Sequence, residues 1–194
     1  MTLGACVFVA DVYVVFPGPY YVSYCHENDE SFITKVVNFI SWLRKRGFDV
    51  QADCMLSEDN ELLLREIGRL RFRDQLLGKA KNVFMIVSPS YLRLCRLDEH
   101  AGKSGQDKPM VDSLSLEEKM VYNEIMYIRY DLLSTVSRND RFIPILFGVD
   151  EAKVPFWIKD LLLYTWPDEK EKERLLYRLY NKPEYLPAKP EVAV

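Results

Sequence analysis

Glu124, three arginines spaced four apart, and a long run of mixed charges are the residues of this chain whose types and positions suit chemistry. Glu124 follows Asn123 at the rim of an apolar stripe, Val121, Ile125 and Ile128. Burial there would raise a carboxyl pKa and fit it for acid–base catalysis. The plainer alternative is a helix-surface carboxylate that balances Arg129. Arg65, Arg69 and Arg73, with Arg71 nearby, form a basic stripe. It reads either as a solvated face or as a docking surface for an acidic partner or for RNA phosphates. The segment from Arg96 to Ser113 carries Arg96, Asp98, Glu99, His100, Lys103, Asp107 and Lys108, and it has little apolar pattern. Long loops inside a domain are commonly functional or disordered. Charges of both signs suit steering and specificity toward a protein partner; an insertion with no partner is the alternative.

Other chemistry finds no footing. No GxGxxG occurs among the eight glycines. Gly102-Lys103-Ser104 is similar to the end of a phosphate-binding loop, but Leu97 stands where the first glycine belongs and no strand leads into it. The four cysteines, Cys6, Cys25, Cys54 and Cys95, are irregularly spaced, and there are only two histidines, His26 and His100. Neither a zinc site nor a disulfide framework is indicated, and reduced thiols in a cytosolic protein is the reading. Ser88 lies outside any GxSxG elbow. No metal or cofactor is therefore expected. The formal net charge of −3 gives no overall basic field for nucleic acid or membranes.

The elements that must position these residues follow from periodicity. With 194 residues, 48% hydrophobic and 28% charged, the chain fits one globular domain. Apolar, β-rich runs predict strands near 20–24, 48–52, 82–88, 141–147 and 161–165. Pro144 sits inside the fourth, so that strand lies near an edge or has one backbone position that needs no donor. Asn28 or Asp29 caps a helix whose stripe is Phe32, Val36, Phe39, Ile40 and Leu43, and Gly47 stops it. A second helix opens at Ser57 with Leu63, Ile67, Leu70 and Leu77 inward, weakened by Gly68 by about 1 kcal/mol relative to alanine. After Pro89 a short helix spans Tyr91 to Cys95. Ser115 and Glu118 form a capping box for a helix with Val121, Ile125, Ile128 and Leu132 inward. The last helix covers Asp168 to Tyr180. Strands alternating with helices predict a doubly wound, five-stranded parallel sheet of flavodoxin-like order 2-1-3-4-5. The apolar run in residues 1–19 lacks a positive n-region and is too short to span a membrane, so it reads as an extension before the domain.

Three motifs in sequence carry a resemblance. Arg141-Phe142-Ile143-Pro144-Ile145-Leu146-Phe147, Val154-Pro155-Phe156-Trp157-Ile158 and Tyr164-Thr165-Trp166-Pro167 resemble the C-terminal half of a SEFIR domain, the cytoplasmic module of interleukin-17 receptors and their adaptor. Tyr20 to Tyr24, the helix after it, and Asn82 to Pro89 extend the likeness, so that the domain covers 20–186 and leaves 187–194 as a flexible tail. The motifs look nearer the adaptor's than a receptor's, and no membrane-spanning run precedes them. The resemblance implies the TIR-like α/β fold, cytoplasmic location and homotypic SEFIR–SEFIR docking onto interleukin-17 receptor tails; the sequence leaves self-association open. TRAF recruitment and NF-kappa-B and MAPK signalling would follow downstream. It also implies that the segment around the third helix is used in docking. The family's ubiquitin ligase activity belongs to segments not visible here. Some of the related TIR domains cleave NAD with a glutamate on the helix after the third strand, which makes Glu124 the catalytic residue of an alternative, enzymatic reading.

Overall fold

The computed structural model describes residues 19–55, 68–100, 111–135 and 139–181. Its centre is a five-stranded sheet in the order β2-β1-β3-β4-β5, built from β1 (Tyr20–Ser23), β2 (Val50–Gln51), β3 (Asn82–Val87), β4 (Phe142–Phe147) and β5 (Tyr164–Trp166). Every neighbouring pair is parallel, with Tyr21 opposite Val83, Phe84 opposite Ile143 and Leu146 opposite Thr165. This is the doubly wound, flavodoxin-like sheet that the alternation of strands and helices predicts.

Successive residues on a strand face opposite ways, and here both faces are apolar. Tyr20, Val22, Phe84, Ile86, Ile143 and Ile145 meet the helices α1 (Glu30–Arg44) and α6 (Glu169–Leu179). Tyr21, Val83, Met85, Val87, Phe142 and Leu146 meet α2 (Arg69–Lys79), α3 (Pro89–His100) and α4 (Leu116–Ser134). A single turn of helix, α5 (Phe156–Lys159), joins β4 to β5 and buries Ile158. In α1 the Asp29 side chain accepts from the Ser31 N–H at 2.9 Å, and all five stripe residues are buried. Phe39 packs edge-on against Phe84, Phe147 and Trp166, at ring separations of 5.4, 6.1 and 5.1 Å. The box of Ser115 and Glu118 caps α4 as expected.

Three expectations are corrected, while that for Pro144 holds: β4 lies next to the edge strand β5, and the proline stands where no donor is needed. The Val83 N–H donates to the Arg141 carbonyl at 2.8 Å, so odd-numbered residues of β4 present their backbone to β3. Pro144 faces the β5 side, where pairing begins only at Ile145–Tyr164. Its missing donor falls just before β5 starts. Gly68 stands at the N-cap of α2 with φ +79°, outside the helix instead of weakening it. Leu70 is 44% exposed, and Phe72 and Leu77 form the buried face in its place. Finally, α3 continues to His100, through residues expected to open a loop. Residues 1–18, Ser57, Leu63, Ile67 and the tail from 182 lie outside the described residues.

Candidate functional site

Arg73 and Glu124, which the sequence placed in separate readings, meet in the interior. On α2, Arg73 lies four residues before Leu77, and side chains four apart share a helix face. Leu77 is core, so Arg73 is carried inward with it and is 4% exposed. On α4, Glu124 falls at the i+3 position from Val121 and four before Ile128, within the buried stripe and not at its rim; it is 2% exposed. Two isolated charges of opposite sign have thus been turned toward each other by two amphipathic helices.

The geometry is that of a buried hub. Arg73 Nε donates to Glu124 Oε1 at 2.6 Å, and the Tyr21 hydroxyl donates to the same oxygen at 2.7 Å. Ser23 Oγ donates to Glu124 Oε2 at 2.6 Å. The Tyr91 hydroxyl, from α3, stands 3.4 Å from Ser23 Oγ. On its other edge Arg73 Nη1 donates to Asp53 Oδ2 at 3.1 Å, and Asp53 opens the helical turn Asp53–Met55 that follows β2. The hub therefore ties β1, α2, α3, α4 and that turn together. Burial would lower the Arg73 pKa, but the Glu124 charge, its hydrogen bond and Asp53 outweigh this and hold it above its ordinary value. Burial first, then the Glu124 charge, pushes the Tyr21 hydroxyl well up. Burial likewise raises Tyr91. Each hydroxyl stays protonated, and that of Tyr21 donates to Glu124.

The residues expected at a docking surface lie elsewhere. Arg96 is exposed on α3, and its guanidinium donates to the backbone carbonyl of Lys153, in the turn Glu151–Lys153. One turn earlier Arg93 pairs with Glu118 of the α4 cap. Asp98, Glu99 and His100 fall on the last turn of α3. Lys103, Asp107 and Lys108 lie outside the described residues, as does Arg65. Arg69 opens α2 and Arg71 is exposed. Because Arg73 is buried, the basic stripe does not form one exposed face through all three arginines. The i, i+4 spacing to Leu77 was the signal that Arg73 points inward.

Surface apolar groups also gather on α4, whose outer side leaves Tyr130 74% and Leu133 72% exposed. Among the described residues no helix is long and apolar enough to cross a membrane, and no group of histidine, cysteine, aspartate and glutamate is placed to hold a metal ion. Comparison with protein families finds that the model of the SEFIR domain matches residues 20–179.

Proposed function

The chain belongs to the SEFIR domain family, whose members act by protein–protein interaction in signalling, and from that premise we propose that it is an intracellular adaptor module. It docks onto the cytoplasmic tails of interleukin-17 receptors by homotypic SEFIR–SEFIR contact, with TRAF recruitment and NF-kappa-B and MAPK signalling downstream. The family match over residues 20–179 is the observation that carries this reading. The charged end of α3, with the segment that follows it to Ser113, is the docking surface in this proposal, and a second copy of the chain is a further partner. The exposed tyrosine and leucine on α4 are the next candidate surface, since aromatic side chains on an open helix face are typical of protein-binding surfaces.

Neither alternative gains an observation of its own. Glu124 accepts hydrogen bonds from three side chains inside the core, so its carboxylate serves the fold's interior before any substrate. With Arg73 turned inward, the phosphate-binding stripe loses a member. A pull-down of the purified chain against a panel of receptor cytoplasmic tails tests the proposal. Capture by at least one SEFIR-bearing tail, and not by tails without one, is expected; capture by none overturns it. NAD incubated with the chain should remain unconsumed above background, and turnover that Glu124→Ala abolishes would reverse the ranking.

A further inference from the structure

A groove of about 620 Å³ lies at the C-terminal end of the sheet, on the face that carries α1 and α6. Its walls are rings: Phe32, Phe147 and Trp166, with Pro89 and Pro167. Phe147 and Trp166 are 6.4 Å apart and 13° from parallel, and Phe32 meets Phe147 edge-on at 6.3 Å. Pro89 and Pro167 are exposed and Trp166 is half-buried. The volume is within the range of ligand sites. Grooves lined by aromatic rings suit polyproline II, whose stiff backbone loses little freedom on docking.

The chain carries such a segment beyond the end of α6. The described residues stop at Asn181, and Lys182 to Pro190 hold three prolines, two of them in the run Pro187-Ala188-Lys189-Pro190. Polyproline II has three residues per turn, so Pro187 and Pro190 share one edge and Lys189 lies on another. Reach agrees. Helix α6 starts beside Pro167 and runs 11 residues away from the groove, about 17 Å at 1.5 Å per residue. At its far end Tyr180 packs on Phe48, just before β2, at 5.5 Å. Residues 182–187 in polyproline II cover about 19 Å at 3.1 Å each. Doubling back beside α6, they bring Pro187 level with Trp166 and Pro190 into the groove. Half-buried Trp42 of α1 stands 5.4 Å from Trp166 and continues the row of rings along that path.

Charge agrees as well. Glu27, Asp29 and Lys35 border the groove. Asp29 and Lys35 pair with each other at 3.0 Å. Glu27 accepts from the Ser90 N–H and hydroxyl, neutral donors, at 2.7 and 2.8 Å. Two carboxylates against one ammonium leave the rim acidic, and Lys189 complements it.

We propose that this groove holds the chain's own residues 187–190, with both prolines against Trp166 and Phe147 and Lys189 toward Glu27. The last turn of α3 belongs to the other face of the sheet, so the site is independent of the docking assignment. The test compares NMR spectra of the full chain with those of a Pro187→Ala, Pro190→Ala variant. The Trp166 indole and the amides of Phe147 and Gly148 should differ between the two, whereas the amides of Tyr21 and Val83 should coincide. A synthetic peptide of residues 182–194 added to the variant should restore the parent positions saturably. The same peptide with Lys189→Glu should need at least ~10-fold more. Coincident groove signals in the two chains, or differences scattered over the whole sheet, would overturn the proposal. So would differences that fade on dilution, which would give the groove to the tail of a second copy. A peptide that saturates the unaltered chain as readily as the variant would overturn it too, leaving the groove to a partner's proline segment.

Discussion

The Arg73–Glu124 pair shows how much a single side chain can carry when it is buried. Removing one partner leaves the other charged and desolvated, and breaking a buried pair costs about 3–5 kcal/mol. Glu124→Ala should lower the free energy of unfolding by that amount, read as a shift of the urea midpoint to lower concentration. Arg73→Met with Glu124→Leu should lose less, since neither member of the buried pair is left charged alone and Asp53, 24% exposed, keeps access to water. A double variant as unstable as the single one would mean that the hub's hydrogen bonds, not its charges, hold these elements together. Cys25 shows burial acting on a neutral group. It is 3% exposed, and burial, followed by Glu27 and Glu118, pushes its thiol from 9.0 up to about 12. The raised value favours the folded state while the thiol is protonated, so this stabilisation is complete below about 9 and is lost as pH rises toward about 12. At pH 8 iodoacetamide should spare Cys25 in the folded chain and modify it in urea, which peptide mass spectrometry reads directly.

Among the elements, those whose signals are local were readable in advance. The α1 stripe, the Asp29 cap and the box of Ser115 and Glu118 each depend on residues within one or two turns, and all three are present. The inward turn of Arg73 and Glu124 was not read. Arg73 stands four before Leu77, but core spacing on its own competes with the cost of burying a charge until the counter-charge, 51 residues away in sequence, is known to face it. β5 was misplaced for a related reason. Leu161 to Leu163 are apolar enough for a strand, yet the turn of α5 delivers the chain so that pairing starts at Tyr164. The start of the supposed loop at Arg96 was also obscured, since its charges hid four more residues of α3 after it. The Asp29 cap makes its own prediction. Hydrogen bonds from Ser31 and from Lys35 hold its carboxyl at about 2 instead of 3.8. A depressed carboxyl pKa supports the folded helix end above the ordinary value, and that support is lost as pH falls from 3.8 toward about 2. The Ser31 amide resonance should titrate with the lower midpoint; a midpoint at the ordinary value would place the cap open in solution.

At the scale of the whole molecule, the proposed docking surface and the core are separable. Replacing Arg96, Asp98, Glu99 and Lys103 together with alanine should weaken receptor-tail binding at least ~10-fold, or about 1.4 kcal/mol. The melting temperature should move by only a few degrees if all four side chains, like exposed Arg96, lie outside the core, where substitutions are usually within about 0.5 kcal/mol each. Unchanged binding would make the segment a spacer and turn attention to the outer side of α4. The sheet also limits what any homotypic assembly of this chain can look like. Among the described residues its outermost strands are two and three residues long, β2 and β5, against six each for β3 and β4. A longer exposed rim would offer a row of free amides and carbonyls on which a second copy could extend the ladder, the route by which sheet proteins run together into fibres. Rims this short offer almost no such template. Under the proposed homotypic docking, copies would therefore recognise one another through helices and loops, without the described sheets joining.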